Sequence, residues 1–390
     1  ESLLVQLVNE QQDLGATRYL AQAKLVLGIV YNRSGQLDKA EENYRSALEV
    51  SRAIDDPELS ARILQNLSIL AEDRNDWDEA WRLLDLALLD YQAAGREVLP
   101  GHFYSARANL KMDQGELLEA EGYLEQALQS FREVGDLRNE AMMLNNTGYL
   151  RRLQGRLQEA EDFHLRSLVI RKEIGDRVGE GRNYMMLVAV LTARGELQQA
   201  LEAAGKALEI ARETNDRLFE GASLANLGDV QKAMGDAVAA RQSYIEGREI
   251  FEKIQDRMRV LQSNLKLAEL DLDEGLYDET EATAYQVLND ARSLELFQPE
   301  VQALELIGDV YRARLDLRAA NAEYAAALER VRESSWAGKE HGLMIKQANV
   351  LLDLGELELA APLIGALSTQ EQDEAALAVQ ARYAEATDMQ

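Results

Sequence analysis

Cysteine is absent from this 390-residue chain, which excludes disulfides and removes the thiolate both as a metal ligand and as a nucleophile. Proline occurs only 4 times, so few positions interrupt a helix. No apolar run approaches the roughly 20 residues that span a bilayer, and no signal-peptide pattern is visible. We therefore expect a helical protein with no membrane partner, in a reducing compartment such as the cytoplasm.

Positive charge is also scarce, because 42 Lys and Arg stand against 69 Asp and Glu and the formal net charge is -27. Such a field repels nucleic acids and anionic membrane surfaces. Short basic clusters such as Arg151-Arg152 lack interleaved aromatic residues, so we expect no direct binding of nucleic acid. The acidic surface serves solubility or, alternatively, attracts basic partners.

Histidine occurs 3 times, at His102, His164 and His341, without the spacing of metal ligands. The sequence has no glycine-rich phosphate loop, and its carboxylates do not single out an acid/base pair. His164 stands where other repeats have Tyr44 and Tyr244, which predicts a packed helix residue rather than a ligand. We expect no catalytic residue, metal or cofactor, and hence no enzyme.

The informative pattern begins at residues 27–47, LGIVYNRSGQLDKAEENYRSA. Two amphipathic helices meet at Gly35, and the small residues Gly28 and Ala40 allow them to approach closely. Tyr31 and Tyr44 fill the space between this pair and its neighbour. One such unit cannot bury its apolar face alone, so the pattern predicts a stack of units.

The same pattern returns every 40 residues, with four columns of residues in register over nine units. The turn column favours a left-handed backbone and consists of Gly35, Asn75, Gly115, Gly155, Gly195, Gly235, Gly275, Leu315 and Gly355. The other three columns hold mostly small residues, such as Ala40, Gly28 and Ala47 in the first unit. A separate N-cap column in the links predicts N-caps for the first helices and consists of Asp56, Asp136, Asp176, Asp216 and Asp256. Pro57, Pro100 and Pro299 lie in the links, where a helix stops or starts.

This spacing resembles the tetratricopeptide-repeat family in its longer-period form, since the standard period is about 34 residues. The subgroup includes sensor domains of bacterial STAND-type regulators, peptide-pheromone receptors and Pins-type scaffolds. The resemblance implies an all-α, right-handed superhelix, an α-solenoid of about nine helix–turn–helix repeats, with the first helices lining a concave groove. The sequence departs from the family pattern at Arg107, Thr147 and Gln347, where a leucine is expected.

We expect residues 1–20 to be the second helix of a truncated repeat and its link, in a fragment of a longer protein. Residues 21–370 form nine repeats, whose pattern weakens after Gly275. Residues 371–390 form a closing helix or a partial repeat.

The groove is the expected binding site. One family position that faces it reads Val26, Asn66, Ala106, Asn146, Met186, Asn226, Lys266, Leu306 and Lys346. In similar superhelices, groove asparagines hold a peptide backbone, and an amide that both donates and accepts suits this task. Arg62 and Arg182 lie one turn earlier and can engage a ligand carboxylate, while His102 and Tyr149 share the face. Alternatively, these asparagines are merely solvated and the arginines pair with neighbouring glutamates.

The expected function is a non-catalytic module of a larger signalling or regulatory protein that binds a peptide or partner segment. A small-molecule sensor is one alternative and predicts a closed pocket with stacked aromatics. A self-association scaffold is another and predicts an exposed apolar patch at an end, on the convex face or in residues 276–345. The sequence leaves the oligomeric state and the identity of the partner open.

Overall fold

The computed structural model describes residues 5–6, 8–9, 17–33, 36–74, 76–334, 337–367 and 374–388. These residues form nineteen helices and contain no strand. The first nine are α1 (Arg18–Arg33), α2 (Leu37–Ala53), α3 (Pro57–Asp73), α4 (Trp77–Ala93), α5 (Gly101–Asp113), α6 (Leu117–Glu133), α7 (Leu137–Leu153), α8 (Leu157–Glu173) and α9 (Arg177–Ala193). The others are α10 (Leu197–Glu213), α11 (Arg217–Ala233), α12 (Ala237–Lys253), α13 (Arg257–Asp273), α14 (Tyr277–Ser293), α15 (Phe297–Ala313), α16 (Leu317–Ser334), α17 (Ala337–Leu354), α18 (Leu357–Leu367) and α19 (Glu374–Asp388). The predicted all-α solenoid is confirmed.

The turns explain the regular spacing. From α2 to α15 the helices have 17 residues, apart from α5 with 13. Gly155 and Gly235 in the turn column have φ of 71° and 82°, as predicted, and Leu315 adopts the same conformation with φ of 63°. A left-handed residue ends the helix by satisfying its last carbonyl groups. The predictions for Gly35 and Asn75 lie outside the described residues.

The links start the next helix as the sequence predicts. Each aspartate of the N-cap column accepts a hydrogen bond from the backbone N–H three residues later, at 3.0–3.2 Å. Asp76 and Asp236 cap second helices in the same way. One side chain therefore satisfies an otherwise unpaired N–H at each of these helix starts.

The small residues of the repeat allow each helix pair to pack closely. A Cβ atom on Gly28, Gly228 or Gly308 would lie 2.5–2.6 Å from the ring of Tyr44, Tyr244 or Tyr324, respectively. Ala40 and the alanines at the same position of later repeats, such as Ala80 and Ala120, are fully buried. His164 is only 1% exposed, which confirms that this histidine is a packed helix residue. The predicted close approach of the two helices is therefore confirmed.

The departures from the family pattern have partners of their own. The guanidinium of Arg107 lies 5.1–5.8 Å from three aromatic ring centroids and forms an ion pair with Asp85 at 2.5 Å. The Thr147 hydroxyl donates to a carbonyl of its own helix, and Gln347 donates to Asn321 at 3.1 Å. Each polar group that replaces a leucine is thus hydrogen-bonded or ion-paired.

The chain divides into two compact units, residues 1–156 and 157–390. The first unit contains α1–α7, and Val8 packs into its core. The second contains α8–α19, and α19 packs against α17 and α18 through the buried residues Ala376 and Val379. Most of residues 1–16 lie outside the described part, as does 368–373. The domain boundaries at residues 20 and 370 stay predictions.

Candidate functional site

The link between α4 and α5 breaks the repeat geometry. It spans residues 94–100, whereas three residues join each other pair of consecutive helices from α2 to α16. Consecutive helices of the regular repeats start 20 residues apart, and α4 starts at Trp77. A regular α5 would therefore begin at residue 97, and Pro100 would be its fourth residue. There, proline lacks the first N–H that donates within a helix, and its ring collides with the carbonyl four residues earlier. Pro100 therefore becomes the N-cap, with φ -65° and ψ 146°, and α5 starts a turn late.

A groove of about 920 Å³ lies beside this link. Its walls come from α3, the link, α5, the end of α6 and the start of α7, with Ile29 of α1 at one end. Its apolar lining includes Ile69, Val98, Leu99, Phe131, Val134 and Met142. Its polar lining includes Arg62, Gln65, Asn66, His102, Asn109 and Asn146. We call this site the first-unit groove.

Four of the seven residues singled out from the sequence come together in the first-unit groove: Arg62, Asn66, His102 and Asn146. Tyr149 belongs to the same unit but does not line the groove, and the Arg152 guanidinium lies 5.1 Å from its ring centroid. Arg182 on α9 and Asn226 on α11 belong to the second unit. The roles of all seven residues in binding stay predictions.

Several polar groups of the groove have no partner within the described part of the chain. Arg62 is exposed and forms no ion pair there, and the side chains of Asn109 and Asn146 form no hydrogen bond. Asn66 donates to the carbonyl of Arg62 at 2.9 Å, which leaves its amide oxygen available. The other groove arginine, Arg96, is neutralised by Glu58 at 2.5 Å. Within the described residues, the groove thus presents one cation without an ion pair and three available amides, beside the carboxylates of Glu58, Glu133 and Asp136.

A buried amide in the groove wall is only half satisfied. The hydroxyl of Tyr91 donates to Oε1 of Gln65 at 2.6 Å, while Nε2 of Gln65 is buried without a partner. Burial raises the pKa of Tyr91 to about 12, so the phenol stays protonated and keeps donating. An unpaired buried donor costs about 1–3 kcal/mol of stability.

His102 lies exposed on the groove wall, with its ring edge-on to Phe131 at 4.9 Å between centroids. Desolvation by the surrounding groove lowers the pKa of His102, and the charge of Arg62 lowers it further, while Asp136 opposes the shift. His102 is therefore neutral at pH 7, and Arg62 remains the cation that is open to a ligand.

Two of the equivalent positions in the second unit are used internally. Lys266 pairs with Asp229 at 3.1 Å, and Lys346 pairs with Asp309 at 2.6 Å. Asp229 also accepts from the Tyr244 hydroxyl at 2.7 Å. These two lysines therefore stabilise helix packing, whereas Asn226 at the same repeat position forms no side-chain hydrogen bond within the described residues, as is true of Asn146 in the first unit.

Sequence reasoning missed Gln65, Asn109 and the unwound link. Gln65 and Asn109 belong to columns that hold leucine or aspartate in other repeats, so their column gives no consistent signal. The link had a signal in the position of Pro100. This proline follows its turn residue, Gly95, by five residues, whereas Pro299 follows Glu295 by four.

Within the described ranges, no cluster of three or more His, Cys, Asp or Glu residues could hold a metal ion. No helix in the described part of the chain combines the length and hydrophobicity that a membrane span needs.

The tetratricopeptide-repeat family model matches residues 19–89, 102–173 and 181–253, which is more than half of the chain. The chain belongs to the tetratricopeptide-repeat family. The match is interrupted at residues 90–101, where the unwound link lies. The match also breaks at residues 174–180, around the regular link between α8 and α9.

Solved structures show the same tetratricopeptide fold. A Rap protein complexed with Competence and Sporulation Factor is 17% identical, with 95% of this chain and 100% of that chain covered and a TM-score of 0.61. The apo quorum sensor NprR from B. thuringiensis is 13% identical over 83% of this chain and 91% of that chain, with a TM-score of 0.61. A STAND protein with a tetratricopeptide-repeat sensor from Pyrococcus horikoshii is 18% identical, with 85% of this chain and 49% of that chain covered and a TM-score of 0.56. No curated protein matches the sequence.

Proposed function

We propose that this chain is a non-catalytic module that binds a peptide or an extended segment of a partner protein in the first-unit groove. The observation that carries the proposal is that one groove gathers several polar groups that the described part of the fold does not use. Arg62 and the amides of Asn66, Asn109 and Asn146 line this groove together and are available there. Polar groups that the fold does not use are available to a ligand.

The groove chemistry suits a main chain. Each free asparagine amide can donate to a peptide carbonyl and accept from a peptide N–H, whatever the ligand sequence. Arg62 offers a charge for a ligand carboxylate. A line of such contacts supports binding of an extended segment.

The regulatory role is proposed from the relatives. A Rap protein was solved with Competence and Sporulation Factor, NprR is described as a quorum sensor, and the STAND protein carries a tetratricopeptide-repeat sensor. Repeat arrays generally build extended binding surfaces rather than catalytic centres. By analogy, the chain would serve a larger signalling protein of the cytoplasm, with a protein or peptide as its partner and no direct contact to nucleic acid.

Small-molecule sensing is a second candidate function. A groove of about 920 Å³ lies within the range of pockets that enclose small ligands. The available amides run along three helices, however, which favours an extended ligand. A thermal-shift screen of metabolites tests this candidate, and it requires a stabilised transition that Ala106→Leu, a substitution inside the groove, abolishes.

The proposed function is tested by affinity capture from lysate of the source organism, with mass spectrometry as the readout. The chain is compared with a variant that carries Asn66→Ala and Asn146→Ala, and with Asn226→Ala as the matched control. Asn226 occupies the same repeat position in the second unit. Circular dichroism first establishes that all three are equally helical.

We expect one partner that the chain and the Asn226→Ala control retain and that the double variant loses. Equal retention by all three proteins contradicts the proposal. Loss in the Asn226→Ala control alone contradicts the placement in the first unit.

A further inference from the structure

The unwound link changes what the groove can accept. In the other repeats from α3 to α15, the first turn of each odd-numbered helix begins 20 residues after the start of the preceding helix. In α5 this turn is replaced by residues 97–100, and Gly101 and Phe131 line the groove beside them. Phe131 is 4% exposed and rigidly packed, since a Cβ on Gly101 would lie 2.8 Å from its ring. Beside the missing turn, the groove therefore reaches an aromatic ring that is held in place.

The groove near this ring is lined by apolar side chains that are partly exposed to solvent. Val98 and Val134 are 64% and 75% exposed, and Ile69 is 39% exposed. Water-exposed apolar side chains around a concavity gain free energy when a partner covers them. The small side chain of Ala106 contributes to the depth of the groove, because Leu306 fills the same repeat position in the second unit.

The charge of Arg62 lies on α3, the helix that packs beside α5. Arg62 and His102 occupy the same repeat position on α3 and α5, whose faces pack side by side. Packed helices lie about 8–10 Å apart, and an extended chain advances about 3.3 Å per residue, so the two subsites are about three ligand residues apart. Ile29 of α1, the helix that packs beside α3, also lines the groove, so the groove leaves room for a segment to continue past Arg62.

We infer that the first-unit groove recognises an internal segment with one aromatic or large aliphatic side chain about three residues from an aspartate or glutamate. The apolar side chain enters the space left by the missing turn of α5, and the carboxylate pairs with Arg62. The inference rests on the proposed function, that a peptide segment occupies the groove, and it adds the chemistry of that segment.

A displayed library of random twelve-residue peptides tests this, with constant linkers at both ends so that every carboxylate is a side chain. A second library leaves the peptide C-terminus free. We expect the chain to enrich the apolar–acidic pair from the linked library. Arg62→Ala removes the acidic preference and Ala106→Leu removes the apolar one, each with about a tenfold loss of affinity for an enriched peptide.

Two surface variants guard against effects of misfolding. Val98→Asp adds a repelling carboxylate at the pocket without touching the core, and Val238→Asp is its control on an 84% exposed residue of the second unit. Asn226→Leu is the control for Ala106→Leu at the same repeat position. We expect Val98→Asp to lose the peptides and both controls to retain them.

The outcomes separate the inference from the proposed function. If the chain and the Asn66→Ala, Asn146→Ala variant enrich the same peptides, the proposed function fails. The inference alone fails if enrichment needs these asparagines but Ala106→Leu and Val98→Asp bind as the chain does. Enrichment only from the library with free C-termini also overturns it.

Discussion

Gly228→Ala probes the close helix packing on which each repeat depends. The added Cβ would lie 2.5 Å from Cε1 and 2.7 Å from Cδ1 of Tyr244. The ring cannot easily yield, because Tyr244 is 1% exposed and its hydroxyl is held by Asp229 at 2.7 Å. Overpacking costs about 1–3 kcal/mol, while replacing a mid-helix glycine returns about 0.5–1 kcal/mol. We expect a net loss of about 1 kcal/mol in local stability.

Gly205→Ala in α10 is the matched control, since nothing lies within 4 Å of its added Cβ. It should gain about 0.5–1 kcal/mol from helix propensity alone. Hydrogen exchange of α11 and α12 amides is the suitable assay, because repeat arrays do not always unfold in one step. If the amides are as well protected in Gly228→Ala as in Gly205→Ala, close packing against Tyr244 is not the reason for a glycine at position 228.

Three further predictions concern single groups. Leu315→Gly should stabilise the α15–α16 turn by about 0.5–1 kcal/mol. The leucine is 81% exposed, so little packing is lost, and its left-handed backbone costs about 1–2 kcal/mol that glycine does not incur. Slower hydrogen exchange around the turn would show the gain. Tyr91→Phe should cost about 1–3 kcal/mol by leaving the amide of Gln65 fully unpaired, and adding Gln65→Leu should recover most of the loss in denaturant titrations. Because desolvation by the surrounding groove lowers the pKa of His102, the neutral form stabilises the fold fully above the ordinary value of 6.5, and this contribution declines as the pH falls towards the lowered pKa. Thermal melts should lose this slope in His102→Gln, and an unchanged slope would contradict the assignment.

Repetition made most of the fold predictable. The aspartate N-caps and the left-handed turns depend on a few neighbouring atoms, so their residue types alone point to the geometry. Even the exception at Leu315 keeps φ at 63°, because the flanking helices impose the turn. The same logic placed His164 in the core, since a residue in a tyrosine column inherits its surroundings.

The candidate site was only partly predictable, because it depends on where the repeats differ. Asn66 and Asn146 could be placed on the groove face from their column, but whether a polar side chain is free depends on its neighbours. Lys266 and Lys346 share that column and are paired with aspartates of adjacent helices. The groove itself opens because Pro100 falls one residue too late in its helix for the regular turn to form, an effect that no column average contains.

The most direct test of the account is photo-crosslinking from inside the first-unit groove. Benzoylphenylalanine replaces Val98 in one protein and Val238 in another, since both valines are exposed but only Val98 lines the groove. We predict that irradiation in lysate joins one partner segment to position 98, that position 238 gives no such adduct, and that Asn66→Ala with Asn146→Ala abolishes it. The same partner joined equally at both positions, or only at position 238, would contradict the central claim that the first-unit groove binds the partner.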